Sequence, residues 1–211
     1  YNISKKQKNN YFKIRLAGGE EKTISVPDGA WSHDNLVEYL NKNDLADVDI
    51  SLNINSRSLL TTFQSEGEAY DLMFADRIPI YSSLGWVLGF RNALYSNVKG
   101  NITSECIYDG VGTRYIYMAI EDYALHDDCS DLLYCGKNII DKNILGKIYV
   151  RSKWEVVVDD ENGVNLKKRE YYKPVNISKI KVKFYNDIGN LIDFNNMDLS
   201  FCLKFVFSKK K

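Results

Sequence analysis

The chain has 211 residues, 45% of them apolar and 13% aromatic, and its 28 basic residues are balanced by 28 acidic ones. That length buries a sizeable core in one large domain or two small ones without disulfides or metal, and the zero net charge leaves no global field to draw in nucleic acid or an anionic membrane. No apolar run approaches the roughly 20 residues of a spanning helix, no leader pattern is read at the start, and a chain that begins at Tyr1 rather than Met reads as a processed product or as part of a longer one.

Residues 1–10 are polar and basic and read as an arm, with Ser4-Lys5-Lys6-Gln7-Lys8 matched at the far end by the tail Ser208-Lys209-Lys210-Lys211. These are either solvated ends or arms that touch an acidic neighbour or nucleic acid. Tyr11-Phe12-Lys13-Ile14-Arg15-Leu16 alternates as a strand and Gly18-Gly19 closes it; Lys22-Thr23-Ile24-Ser25-Val26 is a second strand, stopped by the turn Pro27-Asp28-Gly29. Residues 31–41 form the best helix. Ser32 caps it, Asp34 suits the first turn, and Leu36, Val37 and Leu40 share a face. Residues 48–54 alternate cleanly, 58–63 pair with them, and a short strand follows at 71–74. In Leu84-Gly85-Trp86-Val87-Leu88-Gly89-Phe90-Arg91, two glycines among large side chains predict a short helical turn or tight corner where backbones approach closely.

Residues 102–108 read as a strand, and Arg114-Tyr115-Ile116-Tyr117-Met118-Ala119-Ile120 as a central one. Residues 121–144 read as a long polar excursion, acidic at Glu121, Asp122, Asp127, Asp128 and Asp131, a length typical of a functional or interface loop. Strands are predicted again at 145–150 and 154–158, the latter running to a hairpin-type turn at Asp159-Asp160-Glu161-Asn162-Gly163. The last third holds two alternating runs, Ile180-Lys181-Val182-Lys183-Phe184-Tyr185 and Leu199-Ser200-Phe201-Cys202-Leu203-Lys204-Phe205-Val206-Phe207, about the turn 186–190 and a polar corner. About ten short strands and one good helix read as a β-sandwich or barrel. The domain runs from 11 to 207 between the basic arm, 1–10, and the basic tail, 208–211.

Chemistry is sparse. The two histidines, His33 and His126, fall at a helix start and in a polar loop, a poor setting for a nucleophilic triad. Cys106, Cys129, Cys135 and Cys202 form no Cys-x-x-Cys pair. Cys129 and Cys135 are close enough to bridge a loop, although a reduced setting is the simpler reading. Asp127, Asp128 and Asp131 offer oxygen ligands for Ca²⁺ in a spacing that fits no EF-hand, and a solvated acidic loop explains them as well. Tyr115, Tyr117, Phe184 and Tyr185 beside basic residues suit either core packing or stacking of single-stranded nucleic acid. Three Asn-x-Ser/Thr triplets, at Asn2, Asn101 and Asn176, read as chance in so Asn-rich a chain. The residues alone therefore describe a non-enzymatic β protein without a cofactor, whose loops and termini make contacts.

Two stretches carry a resemblance: residues 84–91 with Tyr95, and residues 171–207 with their Pro-Val, Lys-rich, Asp-x-Gly and Phe-rich order. With the Pro-Asp-Gly turn and the helix before them, they make the chain resemble, from about residue 11 to 207, a family of minor capsid or capsid-associated proteins of nucleocytoplasmic large DNA viruses. Lys173-Pro174 departs from the Gly-Pro of that pattern and confines the corner, while the Asn, Lys and Ile bias suits an AT-rich genome. The motifs are structural, and no catalytic residue transfers with them.

Taken with the resemblance, the expected fold is mainly β: an antiparallel, jelly-roll-like β-sandwich with one short amphipathic helix near the N-terminus. The resemblance implies a virion protein, assembled in the host cytoplasm, that meets the major capsid protein, other capsid proteins and copies of itself in a symmetric shell. It needs no membrane span and no nucleic acid. Lys5, Lys6 and Lys8, the tail Lys209, Lys210 and Lys211, and the acids Asp127, Asp128 and Asp131 are the expected contact residues. Gly85, Trp86, Gly89, Phe90 and Arg91 are the expected structural corner. The alternative reading is a β-sandwich that recognises a glycan or host protein.

Overall fold

The strands follow from alternation, and the computed structural model shows where each apolar face is buried. It describes residues 2–76, 78–123, 131–135, 138–150, 169, 171, 174–194 and 196–206, with the backbone alone for 131–142. The protein is mainly β, with three sheets in which every pairing is antiparallel. Where the sequence predicted one domain over 11–207, the chain divides into two compact units, Tyr1–Thr113 and Arg114–Lys211.

In the first unit, β1 (Tyr11–Leu16), β2 (Glu21–Ser25), β3 (Ile50–Ile54), β4 (Leu60–Ser65), β5 (Tyr70–Met73), β6 (Leu94–Val98) and β7 (Ile102–Ile107) form two sheets, ordered β2-β1-β5-β6 and β3-β4-β7. On β1, Phe12 and Ile14 are buried, while Lys13 and Arg15 pair outward with Asp76 and with Glu21 and Asp71. On β3, Ile50, Leu52 and Ile54 are buried in the same strict alternation. Both sheets feed one core. Phe12 of β1 meets Phe63 of β4 edge-on at 5.6 Å, and Phe63 lies 5.7 Å from Phe90, which stacks on Phe74 at 4.9 Å. Each such ring pair is worth about 0.5–1.5 kcal/mol beyond the area it buries.

Helix α1 (His33–Lys42) begins as the sequence predicts: the Ser32 hydroxyl accepts from the Asn35 N–H at 3.3 Å, and Leu36 and Leu40 are buried. The helix and the turn that follows it also finish two sheet edges. The Asn41 carboxamide donates to the Leu52 carbonyl and accepts from the Leu52 N–H, both at 2.8 Å, on β3. The Asp44 carboxylate accepts from the Ser25 N–H on β2 at 3.1 Å. Side chains here stand where another strand would add, which blunts the edge.

Residues 2–10 are not the arm the sequence predicted. Ile3 is fully buried and exchanges backbone hydrogen bonds with Gly29. The Asn2 amide donates to Trp31 and Gly110 carbonyls, and buried Asn9 accepts from the Ser4 N–H. One buried apolar side chain, Ile3, with the amides of Asn2 and Asn9 is enough to tie this basic stretch into the core, a signal that net polarity hides.

The second unit is one sheet, β8 (Tyr115–Glu121), β9 (Asp131–Cys135), β10 (Asn138–Tyr149) and β11 (Lys181–Tyr185), in the order β11-β8-β10-β9. β8 is central, with Met118, Ala119 and Ile120 buried, and Ala119 packs with Ile144 and Tyr185. Two strands therefore occupy much of the predicted excursion 121–144. The predicted strand at 154–158 lies outside the described residues, and residues 199–206 are not in a strand paired with any described residue.

Candidate functional site

The predicted corner is built around close contacts. Helix α2 (Leu84–Val87) is one turn, capped by the Ser83 hydroxyl on the Trp86 N–H at 3.3 Å. A methyl at Gly85 would run into the Phe74 ring. Gly89 has φ +94°, and a methyl there would meet the Cys106 carbonyl oxygen of β7. The Gly89 carbonyl accepts from the Cys106 N–H at 3.0 Å, so the turn is bonded to the β7 backbone. The Arg91 guanidinium lies 3.9 Å over the Trp86 ring and donates to the Trp86 and Phe90 carbonyls. Tyr95 donates to Glu105 at 2.5 Å while its own oxygen accepts from the Arg91 and Asn92 N–H groups. Burial, then the Glu105 bond, raises the Tyr95 hydroxyl; burial pushes Glu105 up, but the Tyr95 and N–H donors outweigh it and leave the carboxyl below its usual range. Gly85, Trp86, Gly89, Phe90 and Arg91 thus come together in one turn, and Tyr95 and Glu105 fix the chain after it.

Of the predicted contact residues four are described, Lys5, Lys6 and Lys8 in the first unit and Asp131 in the second. Lys5, Lys6 and Lys8 are exposed on a turn closed by the Lys8 N–H on the Lys5 carbonyl at 3.1 Å. Asp131 is the first residue of β9. Asp127, Asp128, Lys209, Lys210 and Lys211 lie outside the described residues, as do His126 and Cys129. His33 opens α1 beside Asp34, 3.2 Å away. Among the described residues no group of three or more His, Cys, Asp or Glu is placed to hold a metal ion, and no helix is long and apolar enough to cross a membrane. An open cleft of about 750 Å³ in the first unit is lined by amides, hydroxyls and acids, among them Asn41, Asp49, Ser51, Gln64, Glu66 and Asn101.

Three features stand out in the second unit, and of their residues the sequence offers Tyr115, Tyr117 and Phe184 as candidates for a site. Asp122, almost fully buried, accepts from Arg169 at 2.9 Å and from the Tyr171 hydroxyl at 2.5 Å, and Arg169 also bonds the Ile120 and Asn143 carbonyls. Burial, then the Asp122 hydrogen bond, raises the Tyr171 hydroxyl. Sequence separation hid this cluster, because its members stand 47 and 49 residues apart. On β8 and β10, Tyr115, Tyr117 and Tyr149 surround the Lys147 ammonium at 3.7, 5.8 and 5.2 Å. Their rings meet edge-on, Tyr115 with Tyr117 at 5.3 Å and with Tyr149 at 6.5 Å.

The third feature is the C-terminal segment. β11 turns at 186–190, where the Asn186 side-chain oxygen accepts from the Ile188 and Asn190 N–H groups. The returning chain bridges Leu191 to Tyr185 and bonds the Ile192 N–H to the Phe184 carbonyl at 2.9 Å. Phe194 and Phe201 then meet Phe184 edge-on at 5.5 and 6.0 Å. Even with those anchors the segment exposes Leu191, Met197, Leu199, Phe201, Phe205 and Val206, Val206 at 77% of its full exposure. Scattered apolar residues are normal on a surface, but a run of this kind marks a contact surface. The arrangement offers an apolar surface suited to association. No family model, curated protein or solved structure matches the chain.

Proposed function

We propose that this chain is a structural virion protein, a minor capsid or vertex component of an icosahedral shell, acting by contact with the major capsid protein, other capsid proteins and copies of itself. The shell is that of a nucleocytoplasmic large DNA virus, assembled in the host cytoplasm, as the sequence resemblance implies. The finer fold within this reading is a jelly-roll-like β-sandwich, which the core shared by the two sheets of the first unit supports. The observation that carries the contact reading is the exposed apolar run over residues 191–206, because six large apolar side chains held in water along one short segment favour a partner surface that covers them.

A second reading, a module that recognises a glycan or host protein, draws on the tyrosines beside Lys147, of which Tyr149 is exposed. Sugar rings stack on open aromatic faces, whereas the Tyr115 face is taken by Lys147, so this reading ranks second. Quantitative mass spectrometry of salt-washed virus particles tests the first. A fixed ratio of this chain to the major capsid protein is the expected result, and absence from particles overturns it.

A further inference from the structure

We infer that the tyrosine- and lysine-bearing face of the second unit's sheet binds single-stranded nucleic acid. Bases stack on Tyr149 and Tyr123, and phosphates meet Lys147, Lys179 and Lys181. The inference goes beyond the contact reading above and stands apart from it.

Alternation gives this sheet two unlike faces. The registers set Tyr115 level with Tyr149 and Tyr117 level with Lys147 across β8 and β10, and Tyr117 with Tyr185 and Glu121 with Lys181 across β8 and β11. Met118 and Ile120 point the other way and are buried, and Phe184 on that side packs on Phe194 and Phe201. Of the four aromatics that the sequence offers for stacking, Phe184 therefore belongs to the apolar side, and Tyr185 is buried with Ala119 and Ile144 in the middle of the sheet. Tyr115 and Tyr117 remain beside Tyr149, a ring with no counterpart in that sequence reading, and Tyr149 is exposed.

A cation meets a ring at both ends of β8. At one end the Lys147 ammonium lies 3.7 Å from the centre of the Tyr115 ring and 5.2 Å from that of Tyr149. At the other, the Lys179 ammonium lies 5.2 Å from the centre of the exposed Tyr123 ring, and Lys181 is exposed across from Glu121. β8 sets the two places roughly 20 Å apart. In the first unit Lys13, Lys22 and Lys42 are paired with carboxylates. Lys147 and Lys179 lie against rings instead, which hold an ammonium group in place without neutralising it. Among the described residues the carboxylates of this face are Glu121 and, at its Arg114 end, Asp187, which accepts from the Arg114 N–H at 3.4 Å. Lys147, Lys179 and Lys181 outnumber them, a local excess inside a chain of zero net charge. An aromatic ring beside a cation, repeated along one strand, suits a polymer that repeats a flat base and a phosphate. A duplex keeps its bases in its own stack, so open rings select a single strand.

The test is fluorescence anisotropy of a labelled twelve-nucleotide oligothymidine with the full chain at several salt concentrations. Micromolar binding at low salt is expected, and log K should fall against log[salt] with a slope of about −2 or steeper, as three phosphate contacts require. Lys147→Gln makes that slope shallower by about 0.7. Tyr149→Ala and Tyr123→Ala each weaken binding about tenfold and leave the slope as it is. Tyr149→Phe keeps the stacking ring and binds as the parent chain does. Tyr123 follows the end of β8, so its variant reads the stacking without altering the sheet, and melting temperatures of the variants check the fold. No binding at low salt, binding that both alanine variants leave intact, or equal affinity for a duplex or for heparin overturns the inference, the last by reducing the face to a general polyanion surface.

Discussion

At Gly89 two independent constraints meet. The backbone is in the left-handed region at φ +94°, and a side chain there would collide with the Cys106 carbonyl oxygen. Gly89→Val combines β-branched strain in that region with a backbone clash, so a loss of about 3 kcal/mol or more is expected, read as a lower urea midpoint. Gly85→Ala faces the Phe74 ring instead, a side chain packed in a cluster of aromatics, and overpacking of that kind costs about 1–3 kcal/mol. An unchanged midpoint for Gly89→Val would show that the corner opens without cost. Two tyrosines set a different limit. Burial pushes Tyr70 and Tyr108 up to about 12, the latter with help from the neighbouring Asp109 charge. Their stabilising contribution is complete below the unfolded value near 10 and is lost as pH rises toward about 12, because the unfolded chain releases these protons first. The first unit should therefore weaken between about pH 10 and 12, and Tyr108→Phe should flatten that decline in alkaline melts. An unaltered slope would mean that the Tyr108 hydroxyl is not kept neutral by the fold.

At the scale of elements, α1 works as an edge cap as much as a core helix. Asn41 occupies both backbone groups of Leu52 on β3, and removing it leaves a donor and an acceptor at a largely buried position. Asn41→Ala should cost about 1–3 kcal/mol and expose a sheet edge, so a lower melting temperature accompanied by light scattering is expected; a soluble variant of unchanged Tm would count against the cap. The helix itself was legible because Ser32, Asp34, Leu36 and Leu40 mark its start and its face locally. Strand β6 was missed for the opposite reason. Leu94 to Val98 reads Leu-Tyr-Ser-Asn-Val, exposed over most of its length with Asn97 at φ 53°, and an edge strand of that kind has no apolar period to read. β9 and the first part of β10, up to residue 144, were taken for a loop because the acids before Asp131 outweighed the Leu132-Leu133-Tyr134 and Ile139-Ile140 runs. The alternation of 199–206 was read correctly as strand-competent, but competence is a local property and pairing depends on a partner, which the described chain does not place beside it.

At the scale of the whole molecule, composition gave no sign of a division at Thr113, since no linker-like stretch separates the units there. The Asp122, Arg169 and Tyr171 cluster makes the division testable, because all three residues belong to Arg114–Lys211 and the core residues named around Phe12 and Phe63 all belong to Tyr1–Thr113. The ion pair is shielded, with the Asp122 side chain 7% and the Arg169 side chain 12% exposed. Arg169→Ala removes the cation bonded to the shielded Asp122 carboxylate, and breaking a buried ion pair by removing one partner costs about 3–5 kcal/mol. That loss should fall on the second unit. Scanning calorimetry of the variant is expected to show one transition moved down and the other in place, and Asp122→Asn added to Arg169→Ala should recover part of the shift by removing the carboxylate charge that lost its Arg169 partner. A single transition that moves down as a whole would show instead that the two units unfold together and that each stabilises the other.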